Sequence, residues 1–215
     1  MPFIAPVFVT KIYEGSLAEE PGFSAFNAEL LRACRTLAAS DEAGRVWSRE
    51  NGFGGYTSYG SIGVLSARDP VFERLRTKLD RHAAAFAETL EFDLPPQVHL
   101  ALDHIWVNVL RPGAAHAGHL HPNSVLSGTM YVSTPPGASA LKLEDPRLPL
   151  MMAAPPRRPD ASDTARTFVY LTPREGTVFL WESWLRHGVP ANAAKAARIS
   201  ISFNYSYHRD LGVGE

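Results

Sequence analysis

HAGHLHPNSVLSG, residues 116–128, contains three of the chain's eight histidines. On an extended strand His119 and His121 would point to the same face, because side chains alternate between faces with a period of two. Neutral imidazole is a common protein ligand of transition metals. The stretch therefore indicates a metal site on a strand, although a lone His-x-His pair also occurs in ordinary strands.

A second segment, residues 176–207, reads GTVFLWESWLRHGVPANAAKAARISISFNYSY. His187 follows a predicted strand at residues 177–181, and a short hairpin would bring Arg198 back alongside it. Arg198 and Ser200 lie on the polar face of the last predicted strand, and the guanidinium fork of an arginine suits a carboxylate ligand. This polar face either lines a binding cavity or is an ordinary solvent-exposed surface.

Six short motifs occur in a fixed order in the second half of the chain. They are W-x-N at 106–108, H-x-H-P at 119–122, S-G-x-x-Y at 127–131, D-P-R at 145–147, W-x-x-H at 184–187 and R-I-S-x-S-F-N at 198–204. This ordered set resembles a bacterial branch of the iron(II)- and 2-oxoglutarate-dependent oxygenases, the 2OG-Fe(II) oxygenase family.

The resemblance implies a mainly β protein with flanking helices, built as a double-stranded β-helix (a jelly-roll, cupin-like barrel). It also implies an iron(II)-dependent dioxygenase that uses 2-oxoglutarate as co-substrate and hydroxylates a substrate that the sequence does not identify. The iron ligands expected from the resemblance are His119, His121 and His187. The expected contacts to 2-oxoglutarate are Arg198, Ser200, Asn108 and Tyr131. For Asn108 and Tyr131, an ordinary hydrogen-bonded core position is the alternative.

His121 departs from the pattern of the wider superfamily, which has a carboxylate at the second position of its H-x-D/E motif. A face of three histidines also binds iron(II), with one unit less negative charge on the metal. Alternatively, Glu144 or Asp145 supplies the carboxylate and His121 lies behind the ligands.

Two other functions fit the same residues. One is an iron dioxygenase with three histidine ligands that needs no 2-oxoglutarate, resembling the thiol dioxygenases; Arg198 would then bind the substrate's own carboxylate. The other is a non-catalytic barrel that binds a small ligand or a structural zinc ion.

The composition favours one globular domain of 215 residues, with 45% hydrophobic and 20% charged residues. A formal net charge of −1 gives no basis for binding nucleic acid or an anionic membrane, and the apolar runs are too short to span a bilayer. The N-terminal residues lack the features of a signal peptide. The lone Cys34 excludes an internal disulfide, so we expect a cytoplasmic enzyme acting on a small molecule or a protein.

The chain divides into an N-terminal strand and helical buttress, residues 1–97, whose helices are expected to pack on one sheet, and a β-barrel core with the metal site, residues 98–215. The sequence predicts a first strand around Phe8–Tyr13 and a helix from Ser24 to about Ala39 with an apolar stripe. A second helix is expected after Asp69 and Pro70, as N-cap and first-turn residue.

Two further segments have no regular pattern. Residues 44–63 are rich in glycine and are predicted to form a loop with extended segments. Residues 146–167 show no periodicity and form either a lid over the metal site or a surface insertion.

Overall fold

The computed structural model describes residues 2–210, which form three α-helices and ten β-strands in two antiparallel sheets. The helices are α1 (Phe23–Ser40), α2 (Glu42–Glu50) and α3 (Val71–Thr89). The strands are β1 (Tyr13–Ser16), β2 (Gly55–Thr57), β3 (Val98–Leu110), β4 (His116–His119), β5 (Leu126–Ser133), β6 (Leu141–Glu144), β7 (Phe168–Leu171), β8 (Thr177–Glu182), β9 (His187–Val189) and β10 (Arg198–Arg209).

The larger sheet has the strand order β1-β8-β5-β10-β3-β2, and the smaller sheet has the order β4-β9-β6-β7. Two facing antiparallel sheets form the predicted double-stranded β-helix, so the expected fold is confirmed. None of the helices between residues 2 and 210 has the length and apolar character that crossing a membrane requires.

Strand β10 lies at the centre of the larger sheet, between β3 and β5. Its odd-numbered residues Ile199, Ile201, Phe203 and Tyr205 are buried in the main hydrophobic core. That core lies between the sheet and the apolar stripes of α1 and α3, which include Leu30, Cys34, Leu75 and Leu79. The prediction that helices pack on one sheet is therefore confirmed.

A smaller core lies between the two sheets. Its buried members are Tyr131, Leu141, Leu143, Phe179, Trp181 and Leu185. Residues from both sheets pack there.

The prediction for residues 44–63 was partly wrong, because Glu42–Glu50 form helix α2. The Asp41 side chain caps this helix: its Oδ1 accepts a hydrogen bond of 3.0 Å from the backbone N–H of Gly44. A Cβ on Gly44 would lie 2.3 Å from Asp41 Oδ2, so the close cap requires glycine there. The glycine content suggested a loop, whereas Gly44 lies in the first turn of helix α2.

The first strand is shorter and begins later than predicted. Phe8 and Val9 are 97% and 54% exposed and lie outside any strand, and β1 covers only Tyr13–Ser16. The antiparallel pairing places Tyr13 opposite Leu180, and β8 ends at Glu182, so no residue of β8 lies opposite Phe8 or Val9. Helix α3 begins at Val71, and its N–H bonds to Asp69 Oδ1 at 2.9 Å, close to the predicted start.

Gly128 occupies a position in β5 where no side chain fits. A Cβ there would lie 2.4 Å from Phe203 and 2.8 Å from Leu180, both fully buried. We expect Gly128→Ala to lower the free energy of unfolding by about 1–3 kcal/mol, because the core must shift to admit a methyl group. Urea denaturation measures this loss.

Gly63→Ala is the matched control, since a Cβ at Gly63 would meet nothing within 4 Å. It should change the free energy of unfolding by less than about 0.5 kcal/mol. Equal effects of the two substitutions would contradict the packing argument.

Candidate metal centre and adjoining cavities

Three histidines converge where the smaller sheet faces the larger one. His119 ends β4 and His187 begins β9, and the two are direct cross-strand partners with ring centroids 4.4 Å apart. His121 lies just beyond β4, with its ring centroid 5.2 Å from each of the other two. One nitrogen from each ring lies within 4.8 Å of the others, as binding a single metal ion requires.

His121 reaches the cluster by a different route from the one the sequence suggested. The strand ends at His119, and the backbone N–H of His121 donates 3.1 Å to the carbonyl of Ser183. This hydrogen bond turns the chain so that His121 faces the other two rings. The predicted convergence occurs, although a single continuous strand does not produce it.

Hydrogen bonds orient two of the three rings. Nδ1 of His119 lies 2.8 Å from the carbonyl of Ala117, and Nδ1 of His187 lies 2.9 Å from the carbonyl of Leu185. Because a carbonyl can only accept, each Nδ1 must carry the hydrogen, and each Nε2 presents a lone pair. Such a backbone contact is the usual means of orienting a metal-binding histidine.

The third ring has a nitrogen without a partner. Nε2 of His121 is buried and has no hydrogen-bond partner within residues 2–210. A buried imidazole nitrogen of this kind costs free energy unless a donor or a metal ion satisfies it. The donor set therefore fits a transition-metal ion such as iron(II).

All three imidazoles are held in their neutral form. Burial, together with the smaller effect of neighbouring histidines, lowers the pKa of His187 to about 3 and that of His121 to about 4. Burial also lowers the pKa of His119. Neutral imidazole is the form that coordinates metals, so these side chains need not lose a proton at neutral pH.

The two carboxylates considered as alternative ligands point elsewhere. Glu144 Oε2 lies 3.5 Å from Arg186 Nε, and Asp145 accepts hydrogen bonds from the Arg147 guanidinium at 2.8 and 3.0 Å. Within the described residues, the group of potential ligands around His121 contains histidines alone.

An inner chamber of about 50 Å³ adjoins the histidines and contains the buried cation Arg198. Arg198 is 4% exposed, and its Nη2 donates 3.0 Å to the hydroxyl of Tyr131. Its Nε has no hydrogen-bond partner, and none of the ion pairs between residues 2 and 210 involves it. A buried arginine without an anion is costly, so the chamber is suited to an anionic ligand.

The remaining predicted contacts lie beside Arg198. Ser200 pairs with Asn108 on β3 and with Tyr131 on β5, so the three side chains form a row across the sheet. The Asn108 amide donates 3.0 Å to Ser202 Oγ, while its buried Oδ1 has no partner among the described residues. Arg198, Ser200 and Asn108 thus line the chamber, whereas Tyr131 is buried in the smaller core and meets the site only through its hydrogen bond to Arg198.

Residues 104–204 match a family model described as "Putative 2OG-Fe(II) oxygenase". The three metal-centre histidines and the chamber-lining residues other than Phe53 lie in this segment. This segment, which carries the site, is similar to the 2OG-Fe(II) oxygenase family. The resemblance inferred from the ordered motifs is confirmed.

Solved structures share the fold of this oxygenase. The epimerase SnoN of nogalamycin biosynthesis has a TM-score of 0.59 at 17% identity, over 95% of this chain and 81% of SnoN. A Pseudomonas putida prolyl-4-hydroxylase has a TM-score of 0.56 at 15% identity, over 92% of each chain. HygX from Streptomyces hygroscopicus, with nickel and 2-oxoglutarate bound, has a TM-score of 0.55 at 18% identity, over 92% of this chain and 82% of HygX. A search of curated proteins gave no match.

An outer cavity of about 480 Å³ also adjoins the histidines. It shares Phe53, Trp106 and Asn108 with the inner chamber, together with His119 and His121. The two spaces therefore meet at the metal centre.

Several residues of the site were not singled out from the sequence. Trp181 packs edge-to-face on His187, with centroids 4.6 Å apart, and its buried Nε1 has no partner among residues 2–210. Trp181 lies two residues after Phe179 in β8, so both side chains are on the same face of the strand, and this spacing is the sequence signal that could have identified Trp181. Phe53 and Trp47 come from the segment predicted as a loop and have no signal of their own.

Two other histidines and the irregular segment 146–167 lie outside the metal centre. The His116 ring centroid is 4.3 Å from that of His119, but His116 is not one of the three converging ligands. His104 is exposed and lies 3.1 Å from Asp103. No residue of 146–167 lines the chamber or the outer cavity, and this geometry favours the surface-insertion alternative over the lid.

The lowered histidine pKa values make the stability of the metal-free protein dependent on pH. An unfolded histidine takes up a proton below a pKa of about 6.5, whereas His187 in the folded protein does so only near 3. The unfolded state therefore binds more protons between these values, and the free energy of unfolding should fall as the pH is lowered from 6.5 towards 4.

We expect His187→Asn to reduce this fall by on the order of 1 kcal/mol between pH 7 and pH 5, measured by urea denaturation with chelator present. His208→Asn, at an exposed position of β10, is the control for the histidine-to-asparagine exchange itself. The interpretation fails if both variants keep the wild-type slope.

Proposed function

We propose that this oxygenase binds iron(II) through His119, His121 and His187 and binds 2-oxoglutarate in the inner chamber. The prime substrate, a small molecule or a protein side chain, would lie in the outer cavity. One observation supports the proposal above all others: the three-histidine cluster and the unpaired buried Arg198 line the same chamber.

Arg198 would hold the distal carboxylate of 2-oxoglutarate. Its Nε is free to donate, and Nη2 already donates to Tyr131, so the guanidinium is fixed before the ligand arrives. The hydroxyl of Ser200 and the amide of Asn108 would add contacts from neighbouring strands. A carboxylate there satisfies the buried charge.

The inner chamber is smaller than 2-oxoglutarate, so some side chains must move when the ligand binds. Phe53 stands at the boundary with the outer cavity and is half-buried, which makes it the side chain that would swing outward. Rotamer changes of this size commonly accompany ligand binding.

Iron(II), when bound, would supply the activation of dioxygen, and the chain's residues would position the reactants and exclude water. The overall reaction is substrate C–H + O₂ + 2-oxoglutarate → substrate C–OH + succinate + CO₂. Leu141, Trp181 and Val189 line the chamber with apolar surface, which protects the reacting groups from solvent.

In this proposal the segment before Val98 buttresses the barrel, and the segment from Val98 onward carries the chemistry. Helices α1 and α3 pack on the larger sheet and hold β10 and β5 in place beneath the chamber wall. A cytoplasmic location remains part of the proposal, supported by the single buried Cys34.

The all-histidine donor set favours one second candidate, an iron dioxygenase that uses no 2-oxoglutarate. In that enzyme Arg198 would bind the carboxylate of the substrate itself. The two functions differ in whether 2-oxoglutarate chelates the metal.

We expect anaerobic titration of the iron(II)-loaded protein with 2-oxoglutarate to produce the weak visible charge-transfer band of a chelated 2-oxo acid. His187→Ala should abolish the band because it removes a metal ligand. Arg198→Ala should weaken 2-oxoglutarate binding by about thirtyfold or more, as expected for losing about 2 kcal/mol of charged hydrogen bonding.

Arg209→Ala is the matched control, because Arg209 ends the same strand at an exposed position. It should bind 2-oxoglutarate as the wild type does. Bound iron without a band would favour the dioxygenase that needs no co-substrate. Failure to bind iron would contradict the enzyme proposal and leave a barrel that binds a small ligand.

A further inference from the structure

A row of aromatic rings lines the outer cavity and ends at the metal centre. Trp47 and Tyr59 have ring centroids 5.9 Å apart, Tyr59 packs edge-to-face on Trp106 at 5.2 Å, and Trp106 stacks on His121 at 5.8 Å. Tyr59 is 56% exposed, so part of its ring surface is accessible from the cavity. A ligand lying along this row would be adjacent to the three histidines.

The outer cavity is lined by negative charge without positive charge. Among its lining residues the structure places one carboxylate, Asp103, and no lysine or arginine. Asp103 accepts a hydrogen bond of 3.1 Å from Ser206 Oγ and lies 3.1 Å from His104 Nδ1, and these contacts fix it at the rim. Its side chain is 36% exposed, so it retains the capacity to accept from a ligand.

We propose that the prime substrate of this oxygenase carries an organic ammonium group that binds in the outer cavity, between the aromatic row and Asp103. The inference rests on the proposed function, in which the outer cavity holds the prime substrate. Aromatic faces attract cations through their negative quadrupole, and the attraction grows as the cation loses water. A nearby carboxylate adds a full opposite charge.

Under this proposal the inner chamber and the outer cavity bind ligands of opposite charge. Arg198 in the inner chamber attracts an anion, whereas Asp103 repels one at the mouth of the outer cavity. An anionic co-substrate that lodged in the outer cavity would block the prime substrate, and the carboxylate disfavours this outcome. An ammonium substrate is repelled from Arg198 in the same way.

The test compares cations with neutral molecules of the same shape, using calorimetric titration of the chelator-treated 215-residue chain. The probes are choline against 3,3-dimethylbutan-1-ol, and n-butylammonium against butan-1-ol. We expect at least one cation to bind roughly tenfold more tightly than its neutral counterpart, within the range of cation–π and ionic contacts. This readout needs neither iron nor turnover.

Substitutions of two cavity residues test where the cation binds. Asp103→Asn keeps the hydrogen-bond acceptor but removes the charge, and it should weaken cation binding at least threefold without changing the affinity for the neutral probe. Tyr59→Leu should weaken the cation more than the neutral probe. Asp93→Asn, at an exposed carboxylate outside the cavity lining, is the matched control and should have no effect.

Equal affinities for the charged and neutral probes, insensitivity to Asp103→Asn, or no binding of either cation at millimolar concentration would each overturn the proposal. The same preparation is titrated with iron(II) and 2-oxoglutarate. If both bind but no cation does, the substrate class is wrong and the oxygenase proposal stands. If a cation binds but 2-oxoglutarate does not, the proposed function fails and the cation site remains.

Discussion

The alternation of side chains along β10 is the constraint on which the rest of this molecule depends. One face of the strand carries Ile201 and Phe203 into the core beneath the helices, and the other carries Arg198 and Ser200 into the chamber. A shift of one residue in register would place the arginine in the apolar core and the isoleucines in the chamber. Pairing with β3 on one side and β5 on the other prevents that shift.

This alternation also explains how far the sequence could predict the site. The period-two pattern of R-I-S-I-S-F-N and the spacing of His119 and His121 are local properties, and each can be read without knowing the fold. The pairing of His119 with His187 is not local. The pairing joins strands from distant parts of the chain, so residue spacing alone could not predict it. The resemblance to a family did predict that both histidines bind the same metal ion.

The missed features have a common physical cause: their roles depend on tertiary contacts. Gly44 looks like a loop residue until the Asp41 cap that crowds it is known. Trp47 has no sequence signal of its own, and only helix α2 brings its ring beside Tyr59, which in turn contacts Trp106. Phe8 and Val9 show an error of another kind, because a strand was predicted there that does not form. The two residues are apolar, but no partner strand extends to them.

In the proposed function, replacing a carboxylate ligand by His121 changes charge more than it changes shape. Three neutral ligands would leave iron(II) with its full double charge, and Arg198 adds a third positive charge in the same buried space. Charges interact strongly where water is excluded. Such a chamber favours a dianion over a monoanion more than a chamber with a ligating carboxylate would. The histidine at position 121 therefore increases the preference for a ligand such as 2-oxoglutarate, which carries one carboxylate for the metal and one for the arginine.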